Sequence, residues 1–204
     1  MPSTKNPWLD ALGGQEAELA SLKRELSLEQ QIARSYSLIC ASLDKRLETL
    51  QAVLAAVAGS TGAEQLLSDA CKALVRQLGW SVAVALRLDA EGCTILGSAQ
   101  LAKAQAENVR RHASKTPAFA SAYAARRETS TFRHGDAESL ALRVLFTTDN
   151  VTVLPLVAGG EHVGCLVLCS NVEERARDDG EAGFLRQLAD SLAAACSNMG
   201  RDLQ

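Results

Sequence analysis

Aromatic side chains are scarce in this sequence of 204 residues, where Phe, Trp and Tyr together make up 4%. Proteins that hold nucleic acid by stacking its bases need such rings, so this chain offers few stacking platforms. The formal net charge of -3 adds no overall attraction to nucleic acid or to an anionic membrane. We therefore expect neither as a partner, and we expect aliphatic side chains to fill the core.

Long apolar runs are missing as well. No stretch reaches the roughly 18 to 20 apolar residues that span a bilayer, and the N-terminal residues lack the apolar centre of a signal peptide. Six cysteines occur, but they form neither CxxC pairs nor Cys/His clusters at zinc spacing, and the three histidines are dispersed. These features predict a cytoplasmic protein with buried, reduced cysteines and no metal site, and they identify no cofactor.

A stripe of leucines at alternating spacings of three and four residues follows an irregular start. We expect residues 1–14 to form a flexible lead-in and residues 15–58 to form one helix. Such a helix is about 60 Å long and cannot bury its stripe against one small domain, so a coiled-coil homodimer of parallel chains is the expected assembly. The residues expected to face the second copy are Leu22, Leu26, Tyr36, Leu43, Leu47, Leu50 and Leu54.

The heptad positions do not fix every property of this coiled coil. Leucine at the d positions favours two strands, whereas leucine at the a positions leaves a higher oligomer open. Glu29 occupies a d position and interrupts the apolar seam. The small side chains of Ala33 and Cys40, at a positions, predict a looser middle segment.

Residues 60–200 predict one α+β domain, an antiparallel sheet with helices on its faces. A helix ends before Gly79, and a strand hairpin turns near residues 89–92. Helical stretches and a short strand follow up to residue 146. Two Val/Leu-rich strands joined through Gly159 and Gly160 predict a second hairpin, and a helix over residues 178–199 ends the domain.

Residues 150–168 resemble the closing hairpin of GAF domains, in which a strand ending in Pro-Leu is followed by a short turn and a strand of the form xxGxLxL. Here these elements are Pro155-Leu156 and the segment from His162 to Leu168. The Ala/Leu-rich last helix is similar to the helix that ends the GAF fold. The resemblance covers about residues 60–200 and implies a sensory or regulatory module without catalytic activity.

Functional subfamilies of GAF domains leave different residue signatures. No Cys-His dipeptide for covalent bilin attachment occurs, and the Asn-Lys signature of cyclic-nucleotide-binding members is missing. Cys93, Cys165 and Cys169 fall in predicted strands, which argues against a thiol-dependent methionine-sulfoxide reductase, the weaker alternative. The other alternative is a ligand-free scaffold that binds a partner protein.

The resemblance also implies where a small molecule would bind. In a GAF fold, the segment corresponding to about residues 101–150 crosses one sheet face and encloses the ligand. This segment is locally basic, which makes an anion such as a nucleotide or an organic acid the candidate ligand. The expected binding residues are Phe132, Arg133, His134 and Arg143, and solvated helix faces are the alternative reading of the basic residues.

Overall fold

The computed structural model describes residues 7–89, 92–125, 128–133, 136, 139–171 and 179–201. The chain divides into two units, Met1–Asp44 and Lys45–Gln204. The helices are α1 (Pro7–Gly59), α2 (Ala63–Leu78), α3 (Lys103–His112), α4 (Pro117–Ala124), α5 (Ser139–Phe146) and α6 (Asp179–Arg201). The strands are β1 (Val82–Asp89), β2 (Gly92–Ala99), β3 (Ser130–Phe132), β4 (Asn150–Ala158) and β5 (Glu161–Ser170).

Helix α1 begins earlier than the sequence indicates. It starts at Pro7, within the residues 1–14 that were expected to form a flexible lead-in, and residues 1–6 lie outside the described part of the chain. Proline suits the first helical position because its missing N–H would have no partner there. Gly13 and Gly14 each weaken a helix by about 1 kcal/mol without ending it. From Glu18 to Asp44 the side chains are exposed, apart from the half-buried Ser42.

The second unit is built on a five-stranded antiparallel sheet with the strand order β2-β1-β5-β4-β3. Gly159 and Gly160 connect β4 to β5 with φ angles of 60° and 88°. Two consecutive positive φ angles are typical of the tight hairpin turn whose twist matches that of the strands. This confirms the second predicted hairpin and the predicted α+β class.

Alternating side chains divide the strands between two sheet faces. The α2–α6 face packs against α2, α6 and the end of α1, and its strand residues are Ala83, Ala85, Leu154, Leu156, Leu166 and Leu168. The α3–α5 face packs against α3, α4 and α5, and its strand residues are Val82, Val84, Leu86, Cys93, Val151, Val153, Cys165, Val167 and Cys169. Both layers are mainly aliphatic, as the composition requires.

Helix α6 belongs to the core of its own domain. The spacing of Leu185, Leu188 and Leu192 matches the stripe of α1 and predicts packing beside a second copy. These side chains are instead only 3%, 1% and 0% exposed, within the cluster on the α2–α6 face. The prediction is therefore wrong for this stripe, because a sheet face and an exposed partner helix select the same apolar spacing.

The outer edge of β4 is only partly covered. Strand β3 pairs with β4 from Val151 to Val153 and reaches no further. Just beyond this point stands Pro155, which has no N–H to donate. Arg186 of α6 donates from Nη1 to the carbonyl oxygen of Pro155 at 3.4 Å. Pro155 and Leu156 thus lie where β4 still pairs with β5 on one edge but no longer with β3 on the other.

Two glycines mark places where backbones come too close for a side chain. A Cβ atom on Gly97 of β2 would lie 2.5 Å from the backbone nitrogen of Ser68 in α2. A Cβ atom on Gly164, the glycine of the xxGxLxL strand, would lie 2.5 Å from the carbonyl oxygen of Leu86. Both clashes are with backbone atoms, which cannot rotate away.

We expect Gly97→Ala to lower the free energy of unfolding by about 1 to 3 kcal/mol, because the added methyl group forces α2 away from β2. Gly183→Ala is the matched control, since its Cβ atom would meet nothing within 4 Å on the exposed side of α6. The control should be neutral or raise the stability by up to about 1 kcal/mol. Urea unfolding followed by circular dichroism measures both, and equal stabilities would contradict the close packing.

Candidate functional site

The α3–α5 face is the surface on which a ligand was expected. The helices that cross it bring large apolar side chains into the layer, among them Val109, Phe119, Leu142 and Phe146, each no more than 1% exposed. The Phe119 and Phe146 rings lie 6.2 Å apart between centroids, at 55° to each other, which is a favourable tilted arrangement. The layer between sheet and helices is thus filled mainly by hydrocarbon.

Side-chain amides of α3 hold the end of α5 in place. Gln105 donates from Nε2 to the carbonyl oxygen of Phe146 at 3.1 Å, and Asn108 donates from Nδ2 to that of Leu145 at 3.2 Å. The last carbonyls of a helix lack partners within the helix, so these bonds satisfy groups that would otherwise need water. Helices α3 and α5 are therefore joined across the sheet face.

The turn from α5 into β4 is stabilised by a buried hydroxyl group. Thr148 Oγ1 donates to Asn171 Oδ1 at 2.9 Å and lies 3.0 Å from the carbonyl oxygen of Ser170, at the end of β5. Thr147, just before it, has a φ angle of 52°, which is unusual for a β-branched residue. These contacts fix the position of α5 relative to the central strands.

Arg143 is the predicted ligand residue with the most distinctive surroundings. Its side chain is 24% exposed, and Nη2 forms an ion pair with Asp149 Oδ1 at 3.2 Å. Its Nε atom is buried and has no hydrogen-bond partner among the residues that the structure describes. A buried donor without an acceptor is unfavourable by about 1 to 3 kcal/mol, so this position favours an additional acceptor. Sequence spacing gave no signal for Asp149 as the partner of Arg143.

The other predicted residues are only partly brought together. Phe132 is half-buried and pairs with Val151, two residues after Asp149, so it shares one end of the sheet with Arg143. Arg133 is half-buried, and its backbone N–H donates to Asp136 Oδ2 at 2.8 Å. His134 lies outside the described residues.

Four other basic residues of the crossing segment face solvent, while Arg126 and Arg127 lie outside the described residues. Arg110 and Arg111 are exposed and pair with Glu107 of the same helix at 3.9 and 2.7 Å. Lys103 and Lys115 are exposed as well. Exposed pairs of this kind contribute little to stability. Among these side chains, the basic excess is explained by solvated helix faces.

A second aromatic contact lies near the hairpin turn, and the sequence gave no indication of it. The rings of Tyr123 in α4 and His162 in β5 stack with centroids 5.3 Å apart and 20° between their planes. Burial raises the pKa of the Tyr123 hydroxyl above its usual range. The stack extends the apolar layer of the α3–α5 face to this end of the sheet.

Five of the six cysteines are buried. Burial raises the pKa of Cys71 and Cys169 to about 12, and that of Cys93 and Cys196 to about 11. It raises the pKa of Cys165 well above the usual range. A thiol attacks only as the thiolate, so these groups are poor nucleophiles at neutral pH. Cys40, on α1, is exposed.

Two other kinds of site are missing from the part of the chain that the structure describes. No three side chains of the His, Cys, Asp and Glu types come together as a set of metal ligands there. Nor does any helix in those segments combine the length and the hydropathy needed to cross a bilayer.

A family model described as GAF domain matches residues 60–197. The chain belongs to the GAF family. This confirms the resemblance seen in the hairpin sequence, and the described sheet with its helices is the GAF fold. A comparison with curated proteins finds no match. The GAF fold supports a sensory or regulatory module as the general class of function.

Solved GAF structures share this fold at low sequence identity. One is the GAF domain of a phosphoenolpyruvate-protein phosphotransferase from Coxiella burnetii, at 17% identity and a TM-score of 0.60, covering 77% of this chain and 97% of that one. Another is the phycoerythrobilin-bound GAF domain of a cyanobacterial phytochrome, at 13% identity and a TM-score of 0.61, covering 78% and 98%. A third is the free methionine-R-sulfoxide reductase from Neisseria meningitidis, at 20% identity and a TM-score of 0.62, covering 80% and 93%.

We expect the buried thiols of this GAF domain to be unreactive in the native state. In a Cys40→Ser variant at pH 8, a thiol reagent should modify no cysteine rapidly and all five after unfolding in urea, because burial both blocks access and keeps the thiols protonated. Mass spectrometry of the labelled protein reports the sites. Rapid labelling of Cys93 or Cys165 in the native protein would contradict this assignment.

Proposed function

We propose that this protein is a non-catalytic, dimeric GAF-type regulatory module whose copies pair through the leucine stripe of α1. Its expected location is the cytoplasm. The observation that carries the proposal is the distribution of exposed and buried side chains around the last turns of α1.

Within the second unit, α1 has two different faces. Thr49 and Val53 are 0% and 3% exposed, and Val53 belongs to the cluster on the α2–α6 face. Leu47, Leu50 and Leu54 remain 56%, 40% and 65% exposed. Packing against the domain therefore leaves the leucine stripe in water. An apolar stripe of this kind is typical of an interaction surface.

In the first unit the stripe is equally exposed. Leu22, Leu26, Tyr36 and Leu43 are 58%, 55%, 65% and 54% exposed. In a parallel dimer without axial stagger, Glu18 at a heptad g position would lie near Lys23 at an e position of the other copy. Opposite charges at these flanking positions favour this orientation. The charge pattern thus supports a second copy as the partner.

We expect Leu43→Asp and Leu47→Asp to dissociate the dimer, because each places a carboxylate within the apolar seam of both copies. Light scattering at micromolar concentration should show the mass falling from two chains to one. Leu38→Asp is the matched control, since Leu38 is 73% exposed at an f position, away from the seam.

The control variant should remain dimeric. A wild-type monomer at micromolar concentration would overturn the proposal. Dissociation by all three substitutions alike would instead show that loss of helix, not loss of the seam, separates the copies, and circular dichroism would reveal that loss.

A small anion is a second element of the proposal, favoured by the buried Nε donor of Arg143. The site would lie at the end of the sheet near Phe132 and Arg133, with His134 following in sequence. The apolar filling of the α3–α5 face supports the alternative, a ligand-free scaffold that binds a partner protein. Thermal-shift screening of nucleotides and carboxylic acids separates the two.

If an anion binds, we expect Arg143→Ala to weaken binding about ten- to a hundred-fold, since a charge-assisted hydrogen bond contributes about 1.5 to 3 kcal/mol. Arg110→Ala is the control, because Arg110 is an exposed residue of α3 that pairs with Glu107. Calorimetric titration of each variant measures the affinity. Equal affinities for the two variants would remove Arg143 from the site, and the absence of any binding anion would favour the scaffold.

A further inference from the structure

Two overlapping apolar seams run along α1 between Glu29 and Arg46. The first, register 1, uses the a and d positions and includes Ala33, Tyr36, Cys40 and Leu43. The second, register 2, keeps the d positions and uses the g positions in place of the a positions. The g positions hold Ile32 and Ile39, which are larger than Ala33 and Cys40 at the a positions. The spacing of register 2 is again four, three and four residues, which is that of a coiled coil.

The structure leaves both seams open in this segment. Ile32 and Ile39 are 47% and 55% exposed, and Tyr36 and Leu43, which both registers share, are 65% and 54% exposed. Ala33 and Cys40 are exposed too. Register 2 buries two isoleucines where register 1 buries an alanine and a cysteine, so the middle of the helix favours register 2 on apolar area.

Closer to the domain only register 1 is available. Register 2 would continue through Arg46 and Val53. Arg46 would bring two like charges together at the centre of the seam, and Val53 is already 3% exposed within the core of its own domain. Leu47 and Leu54, which belong to register 1, are exposed. The two ends of the segment thus prefer different registers.

We propose that α1 pairs with a second copy in two alternative registers over residues 32–43, related by a rotation of each helix of about 50°, half the angle between successive residues. The inference rests on the proposed dimer. The partner is a second copy because a parallel dimer brings Glu18 of one copy near Lys23 of the other. Such a helix supplies two discrete arrangements, which a signal needs if it is to shift an equilibrium.

Disulfide cross-linking distinguishes the registers, because two cysteines whose Cα atoms are more than about 7 Å apart are not bridged without movement of the backbone. Tyr36→Cys, Ile39→Cys and Leu38→Cys are made in a Cys40→Ser background, and wild-type Cys40 reports register 1. The protein is oxidised mildly, and covalent dimers are followed over time on a non-reducing gel.

We expect Tyr36→Cys, Ile39→Cys and wild-type Cys40 all to cross-link at least about tenfold faster than Leu38→Cys, whose position lies away from both seams. Adding Ala33→Leu to the Ile39→Cys variant fills the core of register 1 and should slow cross-linking at position 39 several-fold.

Cross-linking through Cys40 and Tyr36→Cys, with Ile39→Cys no faster than the control, would show one register and overturn the inference while the dimer stands. Cross-linking of Ile39→Cys that Ala33→Leu does not slow would also overturn it, because the two arrangements would then not compete. A monomer by light scattering with no cross-link at Tyr36→Cys would overturn the proposed dimer itself.

Discussion

The pairing of β5 on both of its edges is the constraint on which the rest of the domain depends. Strand β5 lies between β1 and β4, and its residues from Gly164 to Ser170 are buried on both faces. A strand enclosed in this way needs an apolar layer above and below it. The α2–α6 layer and the α3–α5 layer provide these, and the end of α1 completes the first of them. The exposure of the leucines on α1 follows, because only one side of that helix can face the core.

Much of this fold could be predicted from sequence, and the reasons for the failures are physical. Hairpins and helices leave local signals, such as the glycine pair after β4. The stripe of α6 was misassigned because an apolar spacing shows that a helix face is covered, without showing what covers it. The pairing of Arg143 with Asp149 depends on a turn that places residues of α5 and β4 side by side. The short strand β3 was predicted, and Phe132 at its end is half-buried, whereas the ligand-binding role expected of Phe132 stays a prediction.

The core of the domain is buried, whereas helix α1 exposes a stripe of leucines. Burial raises the pKa values of the thiols, and a mainly aliphatic layer lies across the α3–α5 face. Near the end of α1, one face of the helix is buried in the core of the domain and another face is exposed to water. In the proposed dimer, the copies would meet through the face of α1 that the domain core leaves exposed.

The contact between Arg186 and Pro155 has a consequence for how the protein behaves at high concentration. An unpaired strand edge is a template on which another chain can add a strand, and such additions lead to aggregates and fibrils. Beyond the end of β3, the edge of β4 presents a proline that cannot donate a hydrogen bond and a carbonyl group that already accepts one from Arg186. Pro155 therefore offers an added strand no N–H donor and a carbonyl oxygen that already accepts a hydrogen bond, which makes this point of the edge a poor template for strand addition.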